Sequence, residues 1–166
     1  MRTPQGEFLG ECDALTELAA ALNRTDDAAK FAARRDAMAA KAQQHLWDAS
    51  RGLYLNFQQD SGTFNEHSSP TSFYPMLSGT ATQEQALSMT RRWLTNRSAY
   101  CVGDSSGSPP PGSMGPCRFG LPSTPNDDAA YRDNDYWRGR VWGPLNLLVY
   151  MGLRHPKYAD LPEIIA

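Results

Sequence analysis

The residues with the most chemical character lie together between Asp133 and Pro144, in the run Asp-Asn-Asp-Tyr-Trp-Arg-Gly-Arg-Val-Trp-Gly-Pro. It holds two carboxylates (Asp133, Asp135), three aromatic rings (Tyr136, Trp137, Trp142), two guanidiniums (Arg138, Arg140) and two glycines. No packed helix or strand needs that mixture, because apolar and polar residues alternate here at neither period two nor period 3.6. The chemistry it suits is the holding of a polyhydroxylated ligand: flat rings cover the apolar faces of a sugar and planar charged groups fork onto its hydroxyls. Gly139 would let the backbone approach closely or take a positive φ. The plainer alternative is a loop that anchors its rings in the domain's own core and pairs Arg138 with Asp135.

Two further segments belong with this run. Asn146 lies one turn beyond Trp142, within reach of a ligand or of the arginine loop. Phe73 and Tyr74 fall in Ser69-Pro70-Thr71-Ser72-Phe73-Tyr74-Pro75-Met76, where they either reach a sugar or fill the core. A carboxylate at Asp133 or Asp135 beside Trp137 would be desolvated, which raises a carboxyl pKa and suits it to acid–base work. The counter-reading is that Asp135 orients Arg138. His45, His67 and His155 are scattered, so no metal site is expected, and Glu66-His67 reads as a solvated loop.

The elements that must position these residues are helices. Leu15, Leu18, Ala19 and Leu22 form one stripe of an amphipathic helix over residues 8–22. Thr25 then caps a second helix to about residue 47, with Asp26 and Asp27 in its first turn and an Ala-rich face including Phe31, Met38, Ala42 and Leu46. So short a link predicts an αα-hairpin. Alternation over Leu53–Phe57 and the turn signal Asp60-Ser61-Gly62 predict a small β-hairpin over residues 53–64. Pro70 opens a short helix over 70–78; Thr82 with Gln85 forms a capping box for a helix over 82–94; a fourth runs from Pro144 to about Leu153. Residues 95–135 show almost no periodicity, and a loop that long is usually functional or disordered. A last helix starts near Tyr158.

The motifs Tyr136-Trp137-Arg138-Gly139-x-x-Trp142 and Ser69 to Gly79 together resemble the glycoside hydrolases of family 63, six-hairpin (α/α)6 enzymes related in fold to the trehalases, and within them the mannosylglycerate hydrolase branch. The similarity is collinear over most of the chain. It implies an all-α fold, αα-hairpins forming part of an (α/α)6 toroid, with a small β-hairpin and a long active-site loop. It implies an inverting α-glycosidase acting on a mannosyl- or glucosyl-glycerate-like α-glycoside, in which one carboxylic acid protonates the leaving oxygen and a second carboxylate activates water. Neither of the family's two catalytic motifs is present in these residues. Tyr136, Trp137, Arg138, Gly139 and Trp142 would line the sugar subsite, with Phe73, Tyr74 and Asn146 beside them. The rivals are a processing α-glucosidase, a trehalase-like enzyme, and a non-catalytic carbohydrate-binding remnant.

The bulk properties fit that class. The chain has 166 residues, 40% of them hydrophobic and 20% charged, the composition of one globular domain. A net charge of −2 makes no case for nucleic acid or an anionic membrane, and no apolar run is long enough to span a bilayer. The expected partner is a saccharide or glycosyl-glycerate, without a cofactor. The full helices make about two αα-hairpins, so residues 1–166 are expected to be a partial catalytic domain, incomplete at both ends, with apolar faces left wet. Cys101 and Cys117 flank a Gly/Ser/Pro-rich loop at 103–115; a bridge between them would close ~17 residues and contribute about 3 kcal/mol. The compartment stays open: nothing at the amino terminus marks a secretory signal, which favours the cytoplasm, while Asn23-Arg24-Thr25 and Asn96-Arg97-Ser98 are acceptor triplets that would matter in a secreted chain.

Overall fold

The computed structural model describes residues 5–101 and 120–161. Four α-helices carry the fold: α1 (Gln5–Ala21), α2 (Thr25–His45), α3 (Gln83–Met89) and α4 (Gly143–Leu153). Helices α1 and α2 pack on each other as the expected αα-hairpin. The link turns tightly because Asn23 takes φ +57 while the Asn23 and Arg24 amides donate to the carbonyls of Ala20 and Ala19 at 3.0 and 2.8 Å, a left-handed helix ending. Thr25 does not cap α2. It is already helical; the flanking Arg24 makes no side-chain cap, and the first turn relies on Asp26 and Asp27 at the positive end of the dipole.

The stripe on α1 is buried only in part. Leu9, Cys12 and Ala19 are in the core, whereas Phe8, Leu15, Leu18 and Leu22 stay exposed on another face. The buried set includes two small residues, which let the two helices approach; the leucine face has no partner among the described residues.

Two short antiparallel ribbons replace the single expected β-hairpin. Strand β1 (Trp47–Asp48) pairs with β2 (Leu53–Tyr54), and β3 (Phe57–Gln58) pairs with β4 (Thr63–Phe64). The first turn is set by Asp48, whose Oδ1 accepts from the Ser50 amide, the Ser50 hydroxyl and the Arg51 amide at 2.9, 2.6 and 3.1 Å. These bonds outweigh the effect of burial and hold the Asp48 carboxyl below its ordinary pKa. That local closure captures Leu53-Tyr54 for Trp47-Asp48, so only Phe57 onward is left for the second ribbon.

The segment Pro70–Met76 is a 3-10 helix with Pro75 inside it, whose ring would crowd the carbonyl four residues back in an α pattern. The expected capping box opens α3: Thr82 Oγ1 accepts from the Gln85 amide at 3.1 Å and Gln85 Oε1 from the Thr82 amide at 2.8 Å. The helix then widens into a π turn over Thr90–Leu94, closed by the Thr95 amide on the Thr90 carbonyl at 3.0 Å. Helix α4 packs on Pro70–Met76, and Gly152 allows it: a Cβ there would stand 3.1 Å from that of Met76. The core joins Leu53, Tyr54, Phe73, Tyr74, Met76, Met89, Tyr100, Val149 and Tyr158.

Cys12 is a free buried thiol, and Cys101 is disulfide-bonded. Cys117, the 103–115 segment and the chain after Leu161 lie outside the described residues; the last helix is a 3-10 turn at Pro156–Tyr158 as far as it is described. Among the described residues no helix is long and apolar enough to cross a membrane.

Candidate functional site

The aromatic–arginine run is built in four steps. Asp128 caps a 3-10 turn over Ala129–Asp133, its Oδ1 accepting from the Ala130 amide at 2.8 Å. Asn134 follows at φ +44 and reverses the chain. Asp135 and Arg138 then exchange backbone hydrogen bonds of 3.0 and 2.7 Å, closing a two-residue hairpin whose tip is Tyr136-Trp137. Finally Trp142 precedes α4.

The tip is strained. Tyr136 has φ +40 at the first central position of the turn, where glycine is the usual occupant. A bulky residue there costs about 1–3 kcal/mol and persists only where the surroundings fix it. Here Trp142 does so, its indole N–H donating to the Tyr136 carbonyl at 2.8 Å. Gly139 is required by the fold. It has φ +91, and a Cβ would lie 2.3 Å from the Tyr131 carbonyl oxygen. Its amide donates to Ser123 Oγ at 3.1 Å, and the Ser123 amide donates to the Arg140 carbonyl at 2.9 Å.

The result is one aromatic cluster, two of whose rings are exposed while Trp142 is half-buried. The Trp137 and Trp142 rings stack at 4.4 Å and 19°, and Tyr136 meets both edge-on at 5.4 Å. Tyr136 is 61% and Trp137 45% exposed, so these rings are not anchors in the core. Beside them Arg138 donates through Nη2 to Asp135 at 3.1 Å and sits 3.4 Å from Asp133 through Nε. Asp135 also faces Arg140 at 3.9 Å. The pairing of Arg138 with Asp135 is thus present, together with the open rings. Both aspartates are half-exposed and turned to arginine, so Trp137 does not desolvate either of them.

The other candidate residues are elsewhere. Phe73 and Tyr74 are 0% and 1% exposed, in the core, with Phe73 edge-on to Tyr100 at 5.4 Å. Neither offers a ring to a ligand. Asn146 is committed to backbone: its amide nitrogen donates to the carbonyls of Leu121 and Trp142 at 3.0 and 2.9 Å, and its oxygen accepts from the Leu121 amide. It ties the 121–123 segment to the start of α4. No group of three or more metal-ligating side chains occurs among the described residues.

One arrangement is not visible from spacing. His67 Nδ1 lies 2.6 Å from Asp128 Oδ2, across 61 positions of sequence. The pair borders a cavity of about 240 Å³ that also meets Arg51, Trp93 and Asp127. Burial raises the Asp128 pKa, but the His67 hydrogen bond, the Ala130 amide and the imidazole's charge outweigh it and hold the carboxyl below its ordinary value. Ser123, buried and bonded to the hairpin from both its amide and its hydroxyl, is a second such residue; no motif marks it.

Residues 5–162 match the family described as the mannosylglycerate hydrolase MGH1-like glycoside hydrolase domain. The mannosylglycerate hydrolases MGH1 and MGH2 of Selaginella moellendorffii are each 28% identical over 121 residues, which is 71% of this chain and 21% of theirs. The chain therefore spans about a fifth of the length of these curated relatives. In structure it is similar to the GH63 mannosylglycerate hydrolase of Thermus thermophilus, solved in complex with glucose, at a TM-score of 0.73 and 21% identity over 93% of this chain and 32% of that one. The neutral trehalase Nth1 of Saccharomyces cerevisiae is similar at a TM-score of 0.58 and 20% identity, over 79% of this chain and 21% of that one. These two likenesses are of fold, and they agree with the all-α, helical-toroid class. The chain belongs to the family of mannosylglycerate hydrolase MGH1-like glycoside hydrolase domains.

Proposed function

We propose that this chain supplies the sugar-positioning wall of an inverting α-glycosidase that hydrolyses a mannosyl- or glucosyl-glycerate-like glycoside. The observation that carries the reading is the pair of exposed rings Tyr136 and Trp137, packed on the half-buried Trp142, beside a half-exposed, carboxylate-aimed Arg138. Such a stack offers a flat apolar face to a pyranose, and the guanidinium offers a planar fork to adjacent hydroxyls or to a glycerate carboxylate. Family membership adds the reaction class. Asp133 and Asp135 act here as holders of Arg138, and the two proton-transferring carboxylates come from outside these residues. The wall's contribution is orientation of the bound sugar, binding energy spent on the geometry of the transition state.

The test is Arg138→Lys. Lysine keeps the charge but loses the fork, so affinity of the chain for glucosylglycerate or mannosylglycerate, followed by tryptophan fluorescence, is expected to fall about ten- to a hundredfold while Tm holds. In hydrolysis by the full-length enzyme the same change is expected to cut kcat by about 10²–10³-fold, the loss typical of one preorganised donor. A lowered Tm with affinity per folded molecule intact would make Arg138 a structural partner of Asp135 and overturn the reading.

A further inference from the structure

The segment that presents the aromatic cluster is moored at its two ends. Among the described residues, 128–140 is tied to the rest of the fold by Ser123, which bonds Gly139 and Arg140, by the Trp142 indole on the Tyr136 carbonyl, and at the other end by Asp128, whose amide donates to the Pro125 carbonyl at 3.1 Å and whose side chain meets His67. Otherwise the segment bonds to itself. Arg138 meets Asp133 and Asp135, and the Arg140 Nε donates to the Asn134 carbonyl at 2.9 Å. The 3-10 turn Ala129–Asp133 is therefore a rigid spacer. Asp128 begins it, Asp133 ends it against Arg138, and the Tyr131 carbonyl in its middle lies directly beneath Gly139.

We propose that His67 and Asp128 are a positioning pair for this hairpin: the bond between them holds the carboxylate that caps the 3-10 turn, and so fixes where Arg138 and the tryptophan stack point. Neither residue touches the ligand. The asymmetry of the pair supports this. The Asp128 side chain is 6% exposed and that of His67 is 69% exposed. A buried carboxylate that loses its donor is destabilised, whereas an exposed imidazole is not. Removing the imidazole leaves Asp128 short of a partner, and the turn it caps is the part that moves toward water. His67 is itself fixed by its neighbours: its amide donates to Asn65 Oδ1 at 3.0 Å, and Arg51 donates to the carbonyls of Asn65 and Glu66 at 3.1 and 2.8 Å. Arg51 in turn lies 5.5 Å from the Trp93 ring centroid and receives its indole N–H. The 65–67 segment is thus a firm post on the β-ribbon and helix framework. At the other end the backbone is held as far as Asp128, by its own amide on the Pro125 carbonyl at 3.1 Å and by the Asn126 amide on the Ala99 carbonyl at 2.8 Å, so what the lost bond releases is the Asp128 side chain and the turn it caps.

The sugar-site reading matters here for only one arm of the test. His67→Ala deletes the bond, and His67→Asn restores it, because an asparagine amide nitrogen falls where the imidazole carries Nδ1. The first readout is hydrogen exchange of the Trp142 indole N–H, which reports the Tyr136 contact. The second is affinity for glucosylglycerate. His67→Ala is expected to speed that exchange and to weaken affinity, each about tenfold, while core amides such as that of Ala42 exchange as in the wild type. His67→Asn is expected to recover most of both. Unchanged indole exchange in His67→Ala would overturn the proposal, as would a rise shared equally by the core amides. If the wild-type chain binds neither glycoside, the sugar reading falls while the exchange arm still decides the positioning role.

Discussion

Replacing Gly139 with alanine separates the hairpin from the core. The residue has φ +91, and its new Cβ would stand 2.3 Å from the Tyr131 carbonyl oxygen and 3.1 Å from its carbon. Both atoms are backbone, so no side chain can rotate away. The conformation alone costs an alanine about 1–2 kcal/mol. Retreat of the carbonyl also weakens the Asn134 amide bond on it (3.3 Å) and the Gly139 bond to Ser123 (3.1 Å), each a neutral hydrogen bond. The total is about 2–4 kcal/mol. Against it the hairpin sets the Arg138 ion pairs, which are half-exposed and contribute about 0–1 kcal/mol each. The hairpin should therefore yield before the core does. The expected result is loss of the near-UV circular dichroism of the Trp137–Trp142 stack and at least a tenfold loss of glycoside affinity (about 1.4 kcal/mol or more). The far-UV spectrum stays intact. Gly62→Ala is the control: it has φ +67 and nothing within 4 Å of a new Cβ, so it carries strain without the clash. A Gly139→Ala protein that melts like Gly62→Ala and keeps both the stack's signal and the affinity would refute the reasoning.

Two further outcomes are expected. Burial, with Lys157 and Arg35 nearby, outweighs Asp13 and holds the His155 pKa below its ordinary value. The unfolded chain thus binds the proton more readily, and stability is full above the ordinary imidazole pKa near 6.5 and falls as pH drops through the folded value. Urea melts at descending pH check this, and His155→Asn, which can still cap the Lys157 amide, should flatten the decline. The exposed α1 face should drive self-association: Leu18 and Leu22 are 57% and 60% exposed, so Leu18→Gln with Leu22→Gln should shift gel-filtration profiles toward monomer without lowering Tm. Identical profiles would assign any association to another face, of which Leu147, Tyr150 and Met151 on α4 are one.

What the sequence made legible was what depends on neighbours in sequence. The Thr82–Gln85 box formed as expected because both partners lie within one turn, and the 3.6-residue stripes located all four helices. Features decided by distant partners were not legible. The leucine stripe on α1 gave a helix but not its burial, since that depends on what packs there. The short helix at Pro70 was legible but its 3-10 form was not read, although the Pro75 ring disfavours the α pattern. In the site, Trp137, Trp142 and Arg138 came together because they lie within six residues, on the hairpin and the step from it into α4. Phe73 and Tyr74 could have faced either way, and the packing of Pro70–Met76 against α1 and α4 turned them inward. Asn146 was placed correctly on the first turn of α4, but its amide went to Leu121, a backbone partner 25 positions away. His67 and Asp128 share no motif at all.

The charge arrangement of the hairpin bears on how a ligand would be taken up. Asp133 and Asp135 balance Arg138 and Arg140 within a few residues, in a chain whose net charge is only −2. There is no one-signed field to steer an anion from a distance, so on the proposed reading association is slow to respond to salt. The selectivity must come from contact. Here the weakness of the Arg138 pairs becomes useful. Because each half-exposed pair contributes little, a glycerate carboxylate or a pair of sugar hydroxyls can replace Asp135 at small cost. The guanidinium itself need not be ordered from scratch, since Asp133 still holds its Nε side. The strain at Tyr136 works in the same direction. The φ of +40 is maintained by the Trp142 indole bond, so the two rings that would stack on a sugar are locked to each other before it arrives. Arginine fork and ring face are thus held in one register by bonds that do not involve the ligand, which lowers the ordering cost of binding.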